Sequence, residues 1–320
     1  MINLIGKVVY STKTAGVSAG TMFDAFIHTM SKPHIAKQSA QKIVADTQKV
    51  AGYRKRTANE LLRKSGIDAD VSCRVKGVDS TAAKQIRYLK DYDTYENKRE
   101  QIQDIILGKG MGEIIGDSYG IRYTIKSGNP ENLHNAIVNK SKSRADFFVK
   151  SIEDYHGANI TPYANKNVLD KYANLTYRDI RGIQRQTTST SALKNSGYTR
   201  DNINATINGT NAEIQIGGKF TNPWGDVEHY LYDIRMGKPL DLSKLTPEQK
   251  KIAISLQREY TKLLQDKKAN QYFTQNYLNK IWEYLRNSET KGLATPELPP
   301  FPAGYNDVLR AENILKLAHV

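Results

Sequence analysis

The sequence predicts an α/β protein, with a sheet-bearing middle and helical regions on both sides of it. Three observations predict this. From Pro33 to Gly66, and again from Leu245 onward, apolar residues recur at helical spacing among Lys, Arg and Gln. Between these regions, runs rich in β-branched and aromatic residues read as strands: EIIGDSYGIRYTI, GYTRDNINATI and NAEIQI. The last two flank NGTN, a hairpin turn.

Taken in chain order, the first twenty residues give no clear pattern, and a short helix follows around Met22 to Met30. Ile35, Ile43, Val44, Val50, Leu61 and Leu62 then form a narrow apolar stripe on one long helix or two shorter ones. The stretch CRVKGVDSTAAK, residues 73 to 84, changes period midway. Arg74 and Lys76 are two apart, as on one face of a strand, whereas Ser80 and Lys84 are four apart, as on one face of a helix. Gly77 is the hinge and Asp79 a suitable N-cap. Two cations, a hydroxyl and a third cation thus converge on a volume suited to a polyphosphate. The same spacing also fits an ordinary strand-to-helix junction with solvated lysines.

Residues 85 to 108 read as a charged helix, GKGMG at 108 to 112 as a break, and about Pro130 to Ile152 as a second helix. Residues 156 to 197 are rich in Asn, Thr, Ser and Arg, and their end, QRQTTSTSALKNSG, reads as loop. Beyond the hairpin, Thr246, Pro247 and Gln249 form a capping box that starts a helix with Ile252, Leu256, Leu263 and Leu264 on its apolar face. A further helix carries Tyr277, Leu278, Ile281, Trp282 and Leu285, and TPELPPFP at 295 to 302 is an extended arm. Three regions result: a basic helical segment 1–66, a sheet-bearing domain 67–236 and a helical region 237–320.

The 47 Lys and Arg against 33 Asp and Glu give a net charge of +14, which favours anionic partners. Residues 1 to 65 hold 11 of the cations and 3 of the acids, so the excess is mostly N-terminal. Cys73 is the only cysteine, which excludes an intrachain disulfide framework. No apolar run is long enough to span a membrane, and Lys7 interrupts any signal-peptide core, so a soluble protein is expected. Export by a specialised secretion system would leave no such mark.

A polyphosphate cradle that supports transfer also needs a divalent cation with hard oxygen ligands. Asp117 and Glu213 stand at the starts of strand segments, where each alone also fits a turn or a solvated strand acid. Together the pieces resemble the synthetase domain of the RelA/SpoT family, including its small single-domain and toxin relatives. The family's Arg, Lys, Ser and Lys at relative positions 0, 2, 6 and 10 are met by Arg74, Lys76, Ser80 and Lys84. Its Asp-x-x-Gly-x-Arg is met by Asp117, Gly120 and Arg122, its Gly-Tyr loop by Gly197 and Tyr198, and its Glu-x-Gln-Ile by Glu213, Gln215 and Ile216. Trp224, Glu228 and His229 follow at the small synthetases' spacing.

The resemblance implies a nucleotidyltransferase-like mixed sheet of about five strands flanked by helices. It implies transfer of the β,γ-pyrophosphate of ATP to the 3′-hydroxyl of a purine nucleotide, with Mg²⁺ on Asp117 and Glu213 and action in the cytoplasm. Arg74 and Arg122 would sandwich the adenine, while Lys76, Ser80 and Lys84 hold the phosphates. Glu213 would also help deprotonate the acceptor hydroxyl, and Tyr198 and Asn202 would lie on the acceptor side. Gln215, Glu228 and His229 would support them.

The chain departs from the family in GYTRDN, where Thr199 replaces an Arg and Asn202 a His, and in Gly217 and Gly218, which replace Arg-Thr. The donor side is therefore better matched than the acceptor side. None of the six histidines is followed by Asp, so the family's hydrolase motif is absent. Three functions are weighed: a nucleotide pyrophosphokinase, toxic or tightly regulated; a toxin that modifies the 3′ end of tRNA, with YRKRTANELLRK contacting phosphates; and a silent nucleotide-binding module. An antitoxin or immunity protein is a further possible partner.

Overall fold

Pro33 at the first helical position and Gly66 just past the last bound one unbroken helix. In the computed structural model, residues 19–94, 102, 115–155, 165–178, 182–194, 197–235, 242 and 245–298 are described. This helix is α2, Pro33–Ser65, and it follows the short α1, Ala19–Met30. Of the two arrangements open in the sequence, the single long helix holds, about 50 Å in length at 1.5 Å per residue. Its inward stripe is lined by small residues: Ala36 and Ala40 pack with Ala82, and Ala58 and Leu61 enter the main core.

The strands are β1 (Asp68–Val75), β2 (Tyr119–Ser127), β3 (Phe147–Asp154), β4 (Thr176–Arg178), β5 (Gln184–Gln186), β6 (Thr188–Ser191), β7 (Asp201–Ile207) and β8 (Thr210–Gly218). Six of them form one mixed sheet in the order β1-β2-β8-β7-β3-β6, and β4 pairs separately with β5. The β2–β8 and β3–β6 pairs are parallel and the other pairs antiparallel. The sheet therefore has one strand more than the resemblance implies. The β7–β8 hairpin turns at Asn208 and Gly209, both with positive φ, as the twist-matching hairpin turns require.

The helices between and after the strands are α3 (Val78–Thr94), α4 (Pro130–Ser143), α5 (Lys166–Ala173), α6 (Thr221–Arg235), α7 (Pro247–Gln265), α8 (Lys267–Phe273) and α9 (Asn279–Thr290). A π-helical turn, Thr274–Leu278, joins α8 to α9. The Thr246–Gln249 capping box forms as expected. The side chains of Ile252, Leu256, Leu263 and Leu264 lie outside those described, as do GKGMG and the end of the proline-rich arm from residue 299. No helix among the described residues is long and apolar enough to cross a membrane.

Three expectations are corrected, the first being that Asp79 is not the N-cap of α3 but lies inside its first turn, paired with Lys37. The helix read from Pro130 to Ile152 ends at Ser143, and Phe147–Asp154 is strand β3. A register shift between Val149 and Ser151 breaks the two-residue alternation that would have marked it. The QRQTTSTS stretch, read as loop, supplies β5 and β6, the latter a polar edge strand whose Thr side chains suit extended backbone.

Strand alternation divides the sheet into two unlike faces. On one, Ile121, Tyr123, Val149, Ile152, Ile203, Ala205, Ile214 and Ile216 are buried beneath α2, α4 and α5. The opposite face carries most of the polar residues singled out above.

Candidate functional site

The strand registers line up one residue from each of the six strands: Arg74, Gly120, Glu213, Asn204, Ser151 and Thr188. The next row along reads Ser72, Arg122, Gln215, Asn202, Glu153 and Thr190. Aligned residues share a face, so both rows lie on the polar side. Residues 139 apart in sequence, Arg74 and Glu213, thus stand two strands apart, about 10 Å at the usual spacing.

Beside this row lies the strand-to-helix junction, where Lys76 and Lys84 are brought together. The Lys76 amide donates to the Ser118 carbonyl, which fixes the end of β1 against the turn before β2. Lys76 Nζ lies 2.8 Å from Asp117 Oδ2 and Lys84 Nζ 2.9 Å from Asp117 Oδ1, so the carboxylate is gripped from both sides. Ser80 is exposed on the first turn of α3, one turn before Lys84. Burial alone would raise the Asp117 pKa, but the two lysines outweigh it and hold the group at about 2. Glu213 goes the other way, pushed up by burial and then by the charge on Asp117, while Gln215 Nε2 donates to its Oε2 at 2.9 Å. Burial lowers the Lys76 pKa, though Asp117 opposes the shift.

These are two carboxylates of unlike basicity on one volume, the usual basis for dividing an ionised ligand from a base. Among the described residues no group of three or more His, Cys, Asp and Glu could hold a metal by itself. Mg²⁺ commonly takes one or two carboxylates and completes its shell with substrate phosphates and water, so the Asp117–Glu213 pair fits it.

Arg74 is exposed on the edge strand with its stem over Gly120, where an added Cβ would meet Arg74 Cγ at 3.5 Å. Arg122 makes a forked pair through Nη1 with both carboxylate oxygens of Asp226, at 2.6 and 2.8 Å, and its Nε donates to Gln215 Oε1. Burial, and then the nearby charge of Arg200, depress Arg122, and Asp226 opposes them. Sequence reasoning did not single out Asp226, although it lies between Trp224 and Glu228.

The Gly-Tyr loop is seated on α9. Gly197 has φ 81°, and a Cβ there would stand 2.8 Å from Asn279 Cα and 3.0 Å from Trp282 Cβ. The half-buried Tyr198 ring meets Trp282 and Tyr155 edge-on, at 5.5 and 5.7 Å, and the Arg200 guanidinium lies 5.6 Å from its centroid. Arg286 Nη1 reaches Thr199 Oγ1 at 3.4 Å, and Trp282 Nε1 donates to Glu228 Oε2 at 3.1 Å. His229 is exposed on α6. At Gly217 an added Cβ would meet Asn222 Oδ1 at 2.4 Å, so a side chain there would require Asn222 to move. Trp282 was expected only as one apolar residue of a C-terminal helix.

The basic run YRKRTANELLRK is not uniformly a surface. Arg54 is fully buried with its guanidinium 5.0 Å from the Tyr119 ring centroid, whereas Lys55 and Arg56 are exposed.

No protein-family model and no curated protein matches the chain. Among solved structures it is similar to small alarmone synthetase 1 from Bacillus subtilis, with 15% identity, a TM-score of 0.34, and coverage of 71% of this chain and 93% of that one. It is also similar to small alarmone synthetase 2 from Bacillus subtilis, with 16% identity, a TM-score of 0.30, and coverage of 76% and 95%. Likenesses this distant leave the function to be argued from the chain's own residues.

Proposed function

We propose that the protein is an ATP-dependent pyrophosphokinase that moves the β,γ-pyrophosphate of ATP to the 3′-hydroxyl of a purine nucleotide, the hydroxyl attacking the β-phosphorus as its bond to the α,β-bridging oxygen breaks and AMP leaves. The observation that supports this most directly is the double grip of Lys76 and Lys84 on Asp117 beside Glu213, from residues whose spacing meets the family motif. Incoming donor phosphates compete with Asp117 for the two ammonium groups, which would leave that carboxylate for a metal. Asp117 and Glu213 would hold Mg²⁺, which neutralises charge on the transferring phosphate oxygens.

The remaining roles follow from placement and chemistry. Arg74 and Arg122 present guanidinium groups toward one end of the rows, suited to the adenine of the donor. Ser80 adds a hydroxyl to the phosphate side. Glu213, kept more basic than an ordinary glutamate, accepts the proton of the attacking hydroxyl, and Gln215 fixes its orientation. Tyr198 and Asn202 lie on the acceptor side, with Glu228 and His229 behind them on α6.

The test is transfer of label from ATP carrying ³²P at the β or γ position, in Mg²⁺, to GDP, GTP, ADP, ATP or bulk tRNA. Label on a free nucleotide supports the proposal. Label on tRNA alone shifts it to an RNA-modifying toxin, and ATP binding without transfer to any acceptor shifts it to a nucleotide-binding module.

A further inference from the structure

Glu213 has the donor residues on one side of its row and a cavity on the other. The cavity, of about 290 Å³, is floored by Asn204 and Ser151, which are the next two members of that row, and Thr188 beyond them also lines it. Asn204 Nδ2 donates to Ser151 Oγ at 2.9 Å, so the floor is fixed. Gly116, the neighbour of Asp117, lines the edge nearest the two carboxylates. Tyr88, Tyr177, Lys150 and Asn211 also line the cavity.

Each wall has a chemistry that suits one part of a nucleotide. Tyr177 is backed by Phe148 in a parallel stack, with centroids 5.8 Å apart and planes 6° apart, so it forms a stiff aromatic platform. Tyr88 stands on α3 one turn after Lys84, whose Nζ lies 5.7 Å from its ring centroid, which makes the cavity continuous with the phosphate-side cations. Lys150 brings a cation, which donates a hydrogen bond to the Asn211 side-chain oxygen Oδ1. Aromatic rings, amide and hydroxyl groups and one lysine around this volume match a single nucleoside 5′-phosphate in chemistry and size.

We infer that this cavity is the acceptor subsite. The acceptor base stacks against Tyr177 and Tyr88, Lys150 holds its 5′-phosphate, and its ribose hydroxyl is presented to Glu213 from the side opposite Arg74. This rests on the pyrophosphokinase reading for its chemistry, but the cavity as a nucleotide site can be tested without turnover.

The experiment compares wild type with Lys150→Met, Tyr177→Ala and Tyr177→Phe, by label transfer to ADP and GDP and by equilibrium dialysis of labelled ADP and GDP without ATP. Circular dichroism melts establish that each variant folds, and Lys150→Met serves alone if Tyr177→Ala does not. The expected result is an acceptor KM raised at least tenfold in Lys150→Met and Tyr177→Ala, an ATP KM within twofold of wild type, and near-normal behaviour of Tyr177→Phe. An active wild type whose acceptor KM is unmoved by either variant overturns the inference and leaves the pyrophosphokinase reading standing. A wild type that transfers no label to any acceptor refutes that reading, and dialysis then decides: ADP or GDP binding lost in the variants upholds the cavity site, and no binding, or equal binding, overturns it.

Discussion

Replacing Asp117 with Asn tests the site's electrostatics separately from its chemistry. The substitution keeps the shape of a side chain gripped by Lys76 and Lys84 at 2.8 and 2.9 Å but removes its charge. The three side chains are only 18%, 18% and 23% exposed, so water screens the cluster weakly. Holding Asp117 at about 2 rather than the ordinary 3.8 corresponds to about 2 kcal/mol of stability at neutral pH. Because the folded pKa is the lower one, this stability is present above 3.8 and is lost as pH falls toward about 2. Urea unfolding followed by circular dichroism should show Asp117→Asn destabilised by about 2 kcal/mol at pH 7, with a gap that is constant down to about pH 5 and narrows by pH 3. Label transfer should be abolished throughout. A variant as stable as wild type at pH 7, or a gap unchanged at pH 3, would refute the claim that the lysines depend on this carboxylate.

Glu213→Gln should lose transfer yet gain stability at pH 7, because burial and Asp117 raise the Glu213 pKa and make its ionised form costly in the folded state. Because the folded carboxyl takes up its proton above the ordinary value of 4.5, that gain should shrink as pH falls and be gone below 4.5, and thermal melts across pH read it directly. Trp282→Ala should cost about 3 to 5 kcal/mol, as for a large buried aromatic, and a chemical denaturation curve matching wild type would contradict its place in the core. Arg54→Glu should prevent soluble expression, since it buries an anion against Tyr119, whereas Lys55→Glu with Arg56→Glu should leave melting and free-nucleotide turnover within twofold. If the paired reversal does reduce transfer, and only to tRNA with a steep salt dependence, the N-terminal surface binds RNA.

What the sequence made legible was local. Pro33 and Gly66 delimit α2, Asn208 and Gly209 set the hairpin, and Thr246 with Gln249 caps α7, each through chemistry contained within a few residues. The two-residue and four-residue spacings from Arg74 to Lys84 bring Lys76 and Lys84 together because a strand and a helix meet at Gly77. Strand β3 was hidden because its bulge shifts the alternation, so FFVKSIED reads as a continuation of the preceding helix. Asp226 and Trp282 were hidden for another reason. Their partners, Arg122 and Tyr198, lie 104 and 84 residues away, and no local period encodes such a meeting.

The seating of Gly197 and Tyr198 on Asn279 and Trp282 also fixes an order of events during synthesis. Domains fold as the chain emerges, N-terminal parts first. The grip of Lys76 and Lys84 closes on Asp117, Glu213 needs only the hairpin, and Arg122 needs only Gln215 and Asp226 of α6, so all can assemble while α9 is still unmade. The loop before β7 must wait for some eighty further residues before its support arrives. A nascent chain halted in that interval would carry both carboxylates and the cations around them, with the Tyr198 loop still unheld.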